Sequence, residues 1–196
     1  MKPLVRVTGR VAVLDRPDVD TDQIIPKQFL KRIERSGYGE FLFFDWMKDP
    51  DFELRRPEYE GAQILIAGRN FACGSSREHA AWALEDRGFR VILAPSYSDI
   101  FRSNAVKTGL APIELSEEAL AELKASVSVD NELTVDLESL DIRHNDGLRV
   151  PFELDAYARE TLLHGLDDVA RTLAREERIA AYEAAHLPRF DSRATV

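Results

Sequence analysis

Residues 62–94 read AQILIAGRNFACGSSREHAAWALEDRGFRVILA, and their pattern specifies the centre of the architecture. Residues 62–67 form a short apolar run that predicts a buried strand, and residues 89–94 predict a second one. Between the two runs, the residues from about Ser76 to Arg87 predict a helix that Gly88 closes. Strand, helix and strand in this order predict two parallel strands joined by a right-handed crossover.

The segments on either side extend this alternation and add strands near both ends of the chain. The class is therefore α/β with an added β-hairpin and a helical C-terminus, divided into a domain at residues 1–155 and a C-terminal helical extension at 156–196 that packs on it. The predicted elements are a strand at 4–14 with a bulge at Gly9, a loop at 15–23, loops and short helices over 27–60, a helix at about 98–107 closed by Gly109, a strand at 110–115, a helix at 116–126, a strand at 132–137, a hairpin of 140–144 and 148–154, helices from 155 to about 186, and a frayed end at 188–196.

Composition narrows the class of protein. The formal net charge of −9 disfavours a nucleic-acid binder, which carries a basic face. A single cysteine, Cys73, excludes a disulfide within the chain and fits a reducing compartment. It also cannot hold an iron–sulfur cluster, which takes three or four thiolates. The N-terminus lacks the apolar stretch of a signal peptide, and no run approaches the ~20 apolar residues of a membrane span. We therefore expect a cytoplasmic protein that binds neither nucleic acid nor membrane.

The segment from Gly68 to His79 carries the residues best suited to chemistry. Gly74 permits backbone angles that other residues resist, and a helix N-terminus presents unpaired N–H groups that favour an anion. Arg77 adds a forked donor that matches a carboxylate, and Ser75 and Ser76 offer hydroxyls. These features predict a site for a small polycarboxylate. The same letters also match a capping box, in which Ser75 caps the helix and Glu78 reaches back, so a purely structural interpretation stays open.

Two charged segments precede this region. Asp18, Asp20 and Asp22 do not match an EF-hand, whose required glycine and glutamate positions hold Gln23 and Phe29. They indicate a loop whose Asp and Thr side chains cap nearby N–H groups. The basic cluster that follows either attracts an anionic substrate or forms the solvated face of a short helix. Its members are Lys27, Lys31, Arg32 and Arg35.

The histidines show no metal-ligand spacing, and no metal site is predicted. His79, five residues after Gly74, is expected to orient the turn. Cys73 is expected to be a packed or half-exposed thiol and not a nucleophile.

Several segments, in order along the chain, together resemble the small subunits of bacterial 3-isopropylmalate dehydratases, a family of the aconitase superfamily. The Gly-Ser-Ser-Arg-Glu-His element at 74–79 is the most specific of them. Ala72 departs from the family by standing where glycine is usual, and Ser103, Ala105 and Thr108 depart from the family's Asn-Asn-Cys-x-Lys-Asn-like pattern. The matching segments are DTDQIIP at 20–26, FLKR at 29–32, NFACGSSREHA at 70–80, DIF at 99–101 with Asn104, and HGLDD at 164–168.

The resemblance implies a swivelling β/β/α domain and an obligate large subunit, in a heterodimer or heterotetramer. That partner would carry a four-iron–four-sulfur cluster on three cysteines, so this chain would bind no cofactor. The family reaction, part of leucine biosynthesis, dehydrates 2-isopropylmalate to 2-isopropylmaleate and rehydrates it to 3-isopropylmalate, both dicarboxylates. By resemblance, Ser75 is the base, and Arg77 binds a substrate carboxylate with Ser76 and Gly74. The specificity loop spans 29–35 and includes Phe29, Leu30, Lys31 and Arg32; Asp20, Thr21, Asp22 and His79 shape the site.

Two alternatives stay open on the sequence. Lys31 and Arg32 suit a substrate with an extra carboxylate, so the chain could belong to an enzyme of a related diacid such as citraconate, methylmalate or homoaconitate. Alternatively, Ser75 only caps a helix, and the chain is a non-catalytic anion-binding or regulatory module.

Overall fold

The computed structural model describes residues 1–32, 34–128 and 130–186, so the end predicted to fray, 188–196, lies outside the described residues. The strands are β1 Arg6–Leu14, β2 Ile64–Ala67, β3 Val91–Ala94, β4 Ala111–Glu114, β5 Glu132–Asp136, β6 Asp141–Arg143 and β7 Arg149–Pro151. The α-helices are α1 Thr21–Ile24, α2 Glu78–Asp86, α3 Asp99–Thr108, α4 Glu117–Val127, α5 Ala156–His164, α6 Asp168–Leu173 and α7 Glu176–Ala185. Short 3-10 helices cover Lys27–Lys31, Gly39–Phe41, Trp46–Lys48, Glu53–Arg55 and Pro57–Tyr59.

The strands form one 7-stranded sheet in the order β4-β3-β2-β1-β5-β6-β7. Strands β1 to β4 are parallel, which for β2, β3 and β4 confirms the prediction from strand–helix alternation, and β5 to β7 continue antiparallel. The long strand β1 joins the two halves, because residues 6–10 pair with β5 and residues 11–14 pair with β2. The β1–β5 register runs unbroken through Gly9, so the predicted bulge is absent from this pairing.

Both faces of the parallel half are covered. Every residue of β2 and β3 is buried, which explains their continuous apolar runs. On one face, Leu65 and Ile92 pack with residues of α2 and α3, including Ala81 and Phe101. On the other, apolar residues of these strands pack with residues of α4 and α5, including Leu123 and Leu162. Full burial of each leucine or isoleucine stabilises the fold by roughly 1.5–3 kcal/mol.

Two local predictions differ from the structure. A short helix, α1, lies within the predicted loop at 15–23, because Asp20 and Gln23 form a capping box there. Helix α2 begins at Glu78 and not near Ser76, with Arg77 as its N-cap residue and no side chain capping it. The predicted C-terminal end of α3 is confirmed, since Gly109 caps this helix in the left-handed conformation.

The C-terminal region divides after α5. Helix α5 buries Ala158, Thr161 and Leu162 and belongs to the compact unit Met1–Gly165, whereas Leu166–Val196 forms a second unit. Helices α6 and α7 bury no described residue. The domain boundary expected between residues 155 and 156 stays a prediction. In the part of the chain that the structure describes, no helix combines the length and apolar character needed to cross a membrane.

Candidate active site

The candidate site lies at the carboxyl edge of the parallel strands. Strands β1, β2 and β3 run in the same direction, so the segments that follow them leave from one edge of the sheet. Ligands of α/β proteins bind at this edge. The segment after β2, residues 68–77, contains the predicted chemistry, and it lies between the segments that follow β1 and β3.

Backbone hydrogen bonds hold the three segments together. The Cys73 N–H donates to the Val19 carbonyl over 3.1 Å, and the Thr21 N–H donates to the Cys73 carbonyl over 3.0 Å. On the opposite side, the Phe71 N–H donates to the Ser96 carbonyl over 3.0 Å. The segment that carries Ser75 is therefore anchored like a short additional strand between its neighbours.

The anchored segment contains residues with positive φ. Asn70, Ala72 and Gly74 have φ of 55°, 58° and 86°. For alanine this left-handed conformation costs roughly 1–2 kcal/mol, a cost that the glycine expected at position 72 from the resemblance avoids. Here the Ser98 hydroxyl donates to the Ala72 carbonyl over 2.7 Å and holds the turn.

Thr21 holds the proposed base through its backbone. The side chain of Thr21 is buried, and its hydroxyl donates to the Ser75 carbonyl over 3.0 Å. Ser75 and Ser76 are exposed, and neither hydroxyl has a hydrogen-bond partner among the described residues. The two hydroxyls are thus available to a ligand.

The capping-box interpretation of Ser75 and Glu78 is wrong. Helix α2 begins at Glu78 with Arg77 as its N-cap residue, so Ser75 lies two residues too early in the chain to cap it. The capping box forms instead at Asp20, which accepts from the Gln23 N–H over 2.8 Å while its own N–H donates to Gln23 Oε1 over 2.9 Å. The expectation that the acidic run supplies caps is thereby confirmed at Asp20.

Arg77 is held by Asp22. Both Nη atoms of Arg77 donate to the Asp22 carboxylate, one to each oxygen, with Nη2 and Oδ2 2.9 Å apart. The Arg77 side chain is only 16% exposed, whereas that of Asp22 is 53% exposed. The hydrogen bond from Arg77 holds the pKa of Asp22 below its usual value, assisted by the charges of Arg77 and Lys27. Asp22 therefore stays ionised at neutral pH.

His79 belongs to an aromatic cluster at the start of α2. Its ring lies 5.2 Å from that of Tyr38 and 4.6 Å from that of Trp82. Burial lowers the pKa of His79, and the charge of Arg77 lowers it further against an opposing effect of Glu78. His79 is thus a neutral packing residue that joins α2 to the segment around Tyr38, a contact that no local sequence signal indicates.

The predicted specificity residues are two apolar residues, Phe29 and Leu30, which pack within the chain, and two basic residues, Arg32 and Lys31. Phe29 stacks on Phe41 with ring centroids 4.1 Å apart, and Leu30 packs partly buried against the core. Arg32 is engaged within the chain, since its Nη1 lies 3.2 Å from Glu40 Oε1 and 3.3 Å from the Gly37 carbonyl. Lys31 is exposed.

Cys73 is a half-buried thiol beside the site. Its Sγ lies 3.4 Å from the Asp18 carbonyl, and burial together with the charges of Asp20 and Asp18 raises its pKa. The protonated thiol is a poor nucleophile, in agreement with the sequence interpretation. Within residues 1–32, 34–128 and 130–186, no group of three or more His, Cys, Asp or Glu side chains could hold a metal ion.

Comparisons with known proteins identify the family. The family profile described as the aconitase C-terminal domain matches residues 1–118. The 3-isopropylmalate dehydratase small subunit of Geobacillus kaustophilus is 53% identical over 196 residues, covering 96% of this chain and 100% of the relative. That of Brevibacillus brevis is 54% identical over 192 residues, covering 94% and 99%. A crystal structure of 3-isopropylmalate dehydratase from Methanocaldococcus jannaschii superposes with a TM-score of 0.68 at 26% identity, covering 90% of this chain and 99% of that one.

These findings confirm the fold expected from the resemblance, that of the aconitase C-terminal domain with an added hairpin and C-terminal helices. The chain belongs to the 3-isopropylmalate dehydratase small-subunit family.

Proposed function

We propose that this chain is the small subunit of a two-subunit hydro-lyase that interconverts 2-isopropylmalate and 3-isopropylmalate through 2-isopropylmaleate. The observation that carries the proposal is the pair of contacts from Thr21 to Ser75 and from Asp22 to Arg77. Ser75, whose hydroxyl is exposed, and Arg77, which carries the forked cation, are two residues apart in the segment at the carboxyl edge of the sheet. Each is held by a residue of the segment that follows β1. A hydroxy diacid needs both a base and a carboxylate partner.

Ser75 is the proposed base. Its alkoxide takes the proton from the carbon next to a carboxylate, and the electron pair left behind forms the double bond as hydroxide leaves the neighbouring carbon. The isomerisation is complete when the proton is added to the carbon that lost hydroxide and hydroxide is added to the carbon that lost the proton. A C–H of this kind is a weak acid, so the base must be placed closely and the developing charge stabilised. The N-terminus of α2, uncapped by any side chain, favours the alkoxide.

Arg77, Ser76 and Gly74 are the proposed substrate-binding residues. The guanidinium matches a carboxylate in plane and in spacing, which an ammonium does not. The exposed hydroxyl of Ser76 donates to a second oxygen. Gly74 leaves its own position without a side chain, so the substrate can approach the backbone closely.

The donor set of this chain does not fit an iron–sulfur cluster. One thiol is present where three or four are needed, and the pKa of that thiol is raised. We therefore place the four-iron–four-sulfur cluster in the large subunit, where it supplies the Lewis acid for the hydroxyl group. The active assembly is proposed to be a heterodimer or heterotetramer in the cytoplasm.

The proposed specificity follows from the paired state of Arg32. Glu34 lies 3.8 Å from Arg32 Nε and Glu40 lies 3.2 Å from Arg32 Nη1, so neither parallel N–H pair of this guanidinium is free for an additional substrate carboxylate, in contrast to Arg77. The aromatic ring of Phe29 instead provides apolar contact for an isopropyl group. The exposed Lys31 is the one feature that favours a related diacid as the second candidate.

The test is an activity assay on 3-isopropylmalate with the chain alone and mixed with an anaerobically reconstituted large subunit of the same organism. We expect the unsaturated intermediate to form only in the mixture. Lack of activity with a verified cluster would direct the assay to citraconate and homoaconitate. Failure to bind the large subunit at all would favour the non-catalytic anion-binding alternative.

A further inference from the structure

We infer that Asp22 is a positioning residue that binds the two Nη atoms of Arg77 and leaves the Nε–H and the neighbouring Nη–H free for the substrate carboxylate. The inference rests on the proposed function, in which Arg77 binds that carboxylate. It assigns to Asp22 a specific task where the resemblance only indicates a site-shaping position.

The geometry of the pair supports this division of the guanidinium. Asp22 receives one hydrogen bond from each Nη atom of Arg77, an end-on arrangement. A guanidinium has five N–H donors, so the Nε–H and the Nη–H beside it remain as a second parallel pair. No other acceptor for Arg77 lies among the described residues. A second carboxylate can therefore bind side-on without displacing Asp22.

Burial gives the reason for a dedicated partner. A largely buried guanidinium without a counter-charge is unfavourable, and its long side chain would sample several rotamers. The more exposed Asp22 neutralises the guanidinium from the solvent side. Arg77 thus keeps one orientation before substrate arrives, which reduces the entropy lost on binding.

Asp22 also connects Arg77 to the specificity segment. The charge and the backbone N–H of Lys27 contribute to lowering the pKa of Asp22, so Lys27 lies close to this carboxylate. Lys27 is the first residue of the 3-10 helix that contains Phe29 and Leu30. The Asp22 carboxylate therefore interacts both with Arg77, the proposed carboxylate-binding residue, and with the start of the helix that carries Phe29, the proposed apolar contact.

An opposite role is equally concrete. Asp22 could mimic the substrate carboxylate and have to leave before substrate binds. The two roles predict opposite changes when Asp22 loses its charge: a positioning residue raises KM on removal, and a competitor lowers it.

The experiment compares Asp22→Asn with wild type in the reconstituted two-subunit enzyme. We expect KM for 3-isopropylmalate to rise roughly 10- to 100-fold, the range for loss of a hydrogen bond to a charged group, with a smaller effect on kcat. Asp22→Glu, which keeps the carboxylate, should recover part of the loss. In an Arg77→Lys background the Asp22→Asn change should add little, because Asp22 acts through Arg77.

Asp18→Asn is the matched control. Asp18 lies in the same segment at 52% exposure, pairs with Arg69 at 3.5 Å and accepts from Asn70 at 2.8 Å, without contacting Arg77. Its φ of 55° suits asparagine as well as aspartate, so the backbone should be retained. We expect the KM of Asp18→Asn to stay within about twofold of wild type, well below the rise of roughly 10- to 100-fold expected for Asp22→Asn.

A readout independent of turnover is the rate at which phenylglyoxal modifies Arg77 in the isolated chain, followed by peptide mass spectrometry. Asp22→Asn should increase this rate and Asp18→Asn should not. An active wild type with unchanged or lowered KM in Asp22→Asn overturns the inference alone. A wild-type mixture inactive on every diacid tested, with a verified cluster, overturns the proposed function, and the assignment of Asp22 fails with it.

Discussion

Ser75 is held through its backbone and not through its hydroxyl. The buried Thr21 donates to the Ser75 carbonyl, and the Gly74 turn precedes it, so the hydroxyl is free for a ligand while the main chain is fixed. This arrangement separates the chemical role of the side chain from the structural role of the residue. A substitution of the hydroxyl alone should therefore affect catalysis without affecting folding.

Replacing Ser75 by Ala should lower kcat of the two-subunit enzyme by about 10³-fold or more, since a positioned base contributes roughly 10²–10⁴. The free energy of unfolding should change by less than about 0.5 kcal/mol, because an exposed hydroxyl without a partner is removed. Steady-state kinetics and urea unfolding measure the two quantities. Ser76→Ala is the control and should retain measurable turnover with a raised KM; a near-normal rate in Ser75→Ala would show that another group is the base.

At the scale of elements, the site depends on the close crossing of the segments that follow β1 and β2. Gly68 ends β2 where the backbone of Arg16 passes, and a Cβ built on Gly68 would lie 2.2 Å from the Arg16 carbonyl oxygen. Neither backbone can move freely, because Asp18 and Cys73 tie the same two segments by hydrogen bonds. Glycine is thus required at position 68 for space and not for a positive φ.

Replacing Gly68 by Ala should destabilise the fold by about 2 kcal/mol or more, because the added methyl group meets backbone atoms. Gly9→Ala is the matched control within β1. There the added Cβ meets the flexible Gln63 side chain at 3.2 Å, so a loss under about 1 kcal/mol is expected. Chemical unfolding of the two variants measures the difference, and equal losses would contradict the steric argument.

The antiparallel half of the sheet contributes an acid-sensitive contact between β1 and β5. Burial alone would raise the pKa of Asp136, but hydrogen bonds from the Ser139 N–H, from Arg6 and from the Glu138 N–H outweigh it and lower the pKa to about 2. Because the folded pKa lies below the ordinary value of 3.8, this stabilisation is present above pH 4 and is lost as the pH falls toward 2. It amounts to about 2 kcal/mol.

Asp136→Asn should therefore be less stable than wild type at pH 7, and the gap should narrow as the pH falls from 4 toward 2. Urea unfolding across this range measures the difference in free energy of unfolding. A gap independent of pH would show that the ionised carboxylate of Asp136 contributes nothing specific to the folded state.

At the scale of the whole molecule, the first compact unit ends after α5. Leu162 is fully buried, and its carbonyl accepts from the Leu4 N–H over 2.8 Å, so α5 closes the N-terminal strand region. Beyond Gly165, the described helices bury no residue. The structure therefore separates residues needed for the fold from residues that follow it.

The chain shortened to residues 1–165 should keep a cooperative thermal transition close to that of the full chain. The chain shortened to residues 1–155, the predicted domain boundary, loses the burial of Ala158, Thr161 and Leu162. Leu162 by itself contributes roughly 1.5–3 kcal/mol, so this chain should melt at a lower temperature. Circular dichroism of the two shortened chains distinguishes them. Equal melting temperatures would place the boundary at residue 155.

The fold class, the parallel order of the central strands and the family could all be predicted from local patterns and motifs. Apolar runs, glycine caps and the Asn145-Asp146-Gly147 hairpin signal act over a few residues, so local patterns suffice to predict them. The anion site that the Gly74–His79 element predicts stays a prediction. Capping patterns were less reliable, because the box at Ser75 and Glu78 does not form.

Only the tertiary structure decided how the site residues act on one another. Thr21 and Ser75 are 54 residues apart, and Asp22 and Arg77 are 55 apart. No local pattern reports such contacts, because the parallel sheet creates them by bringing the ends of β1 and β2 to one edge. Helix α2 also begins only after Arg77, so Ser75 does not cap it and the Ser75 side chain stays exposed.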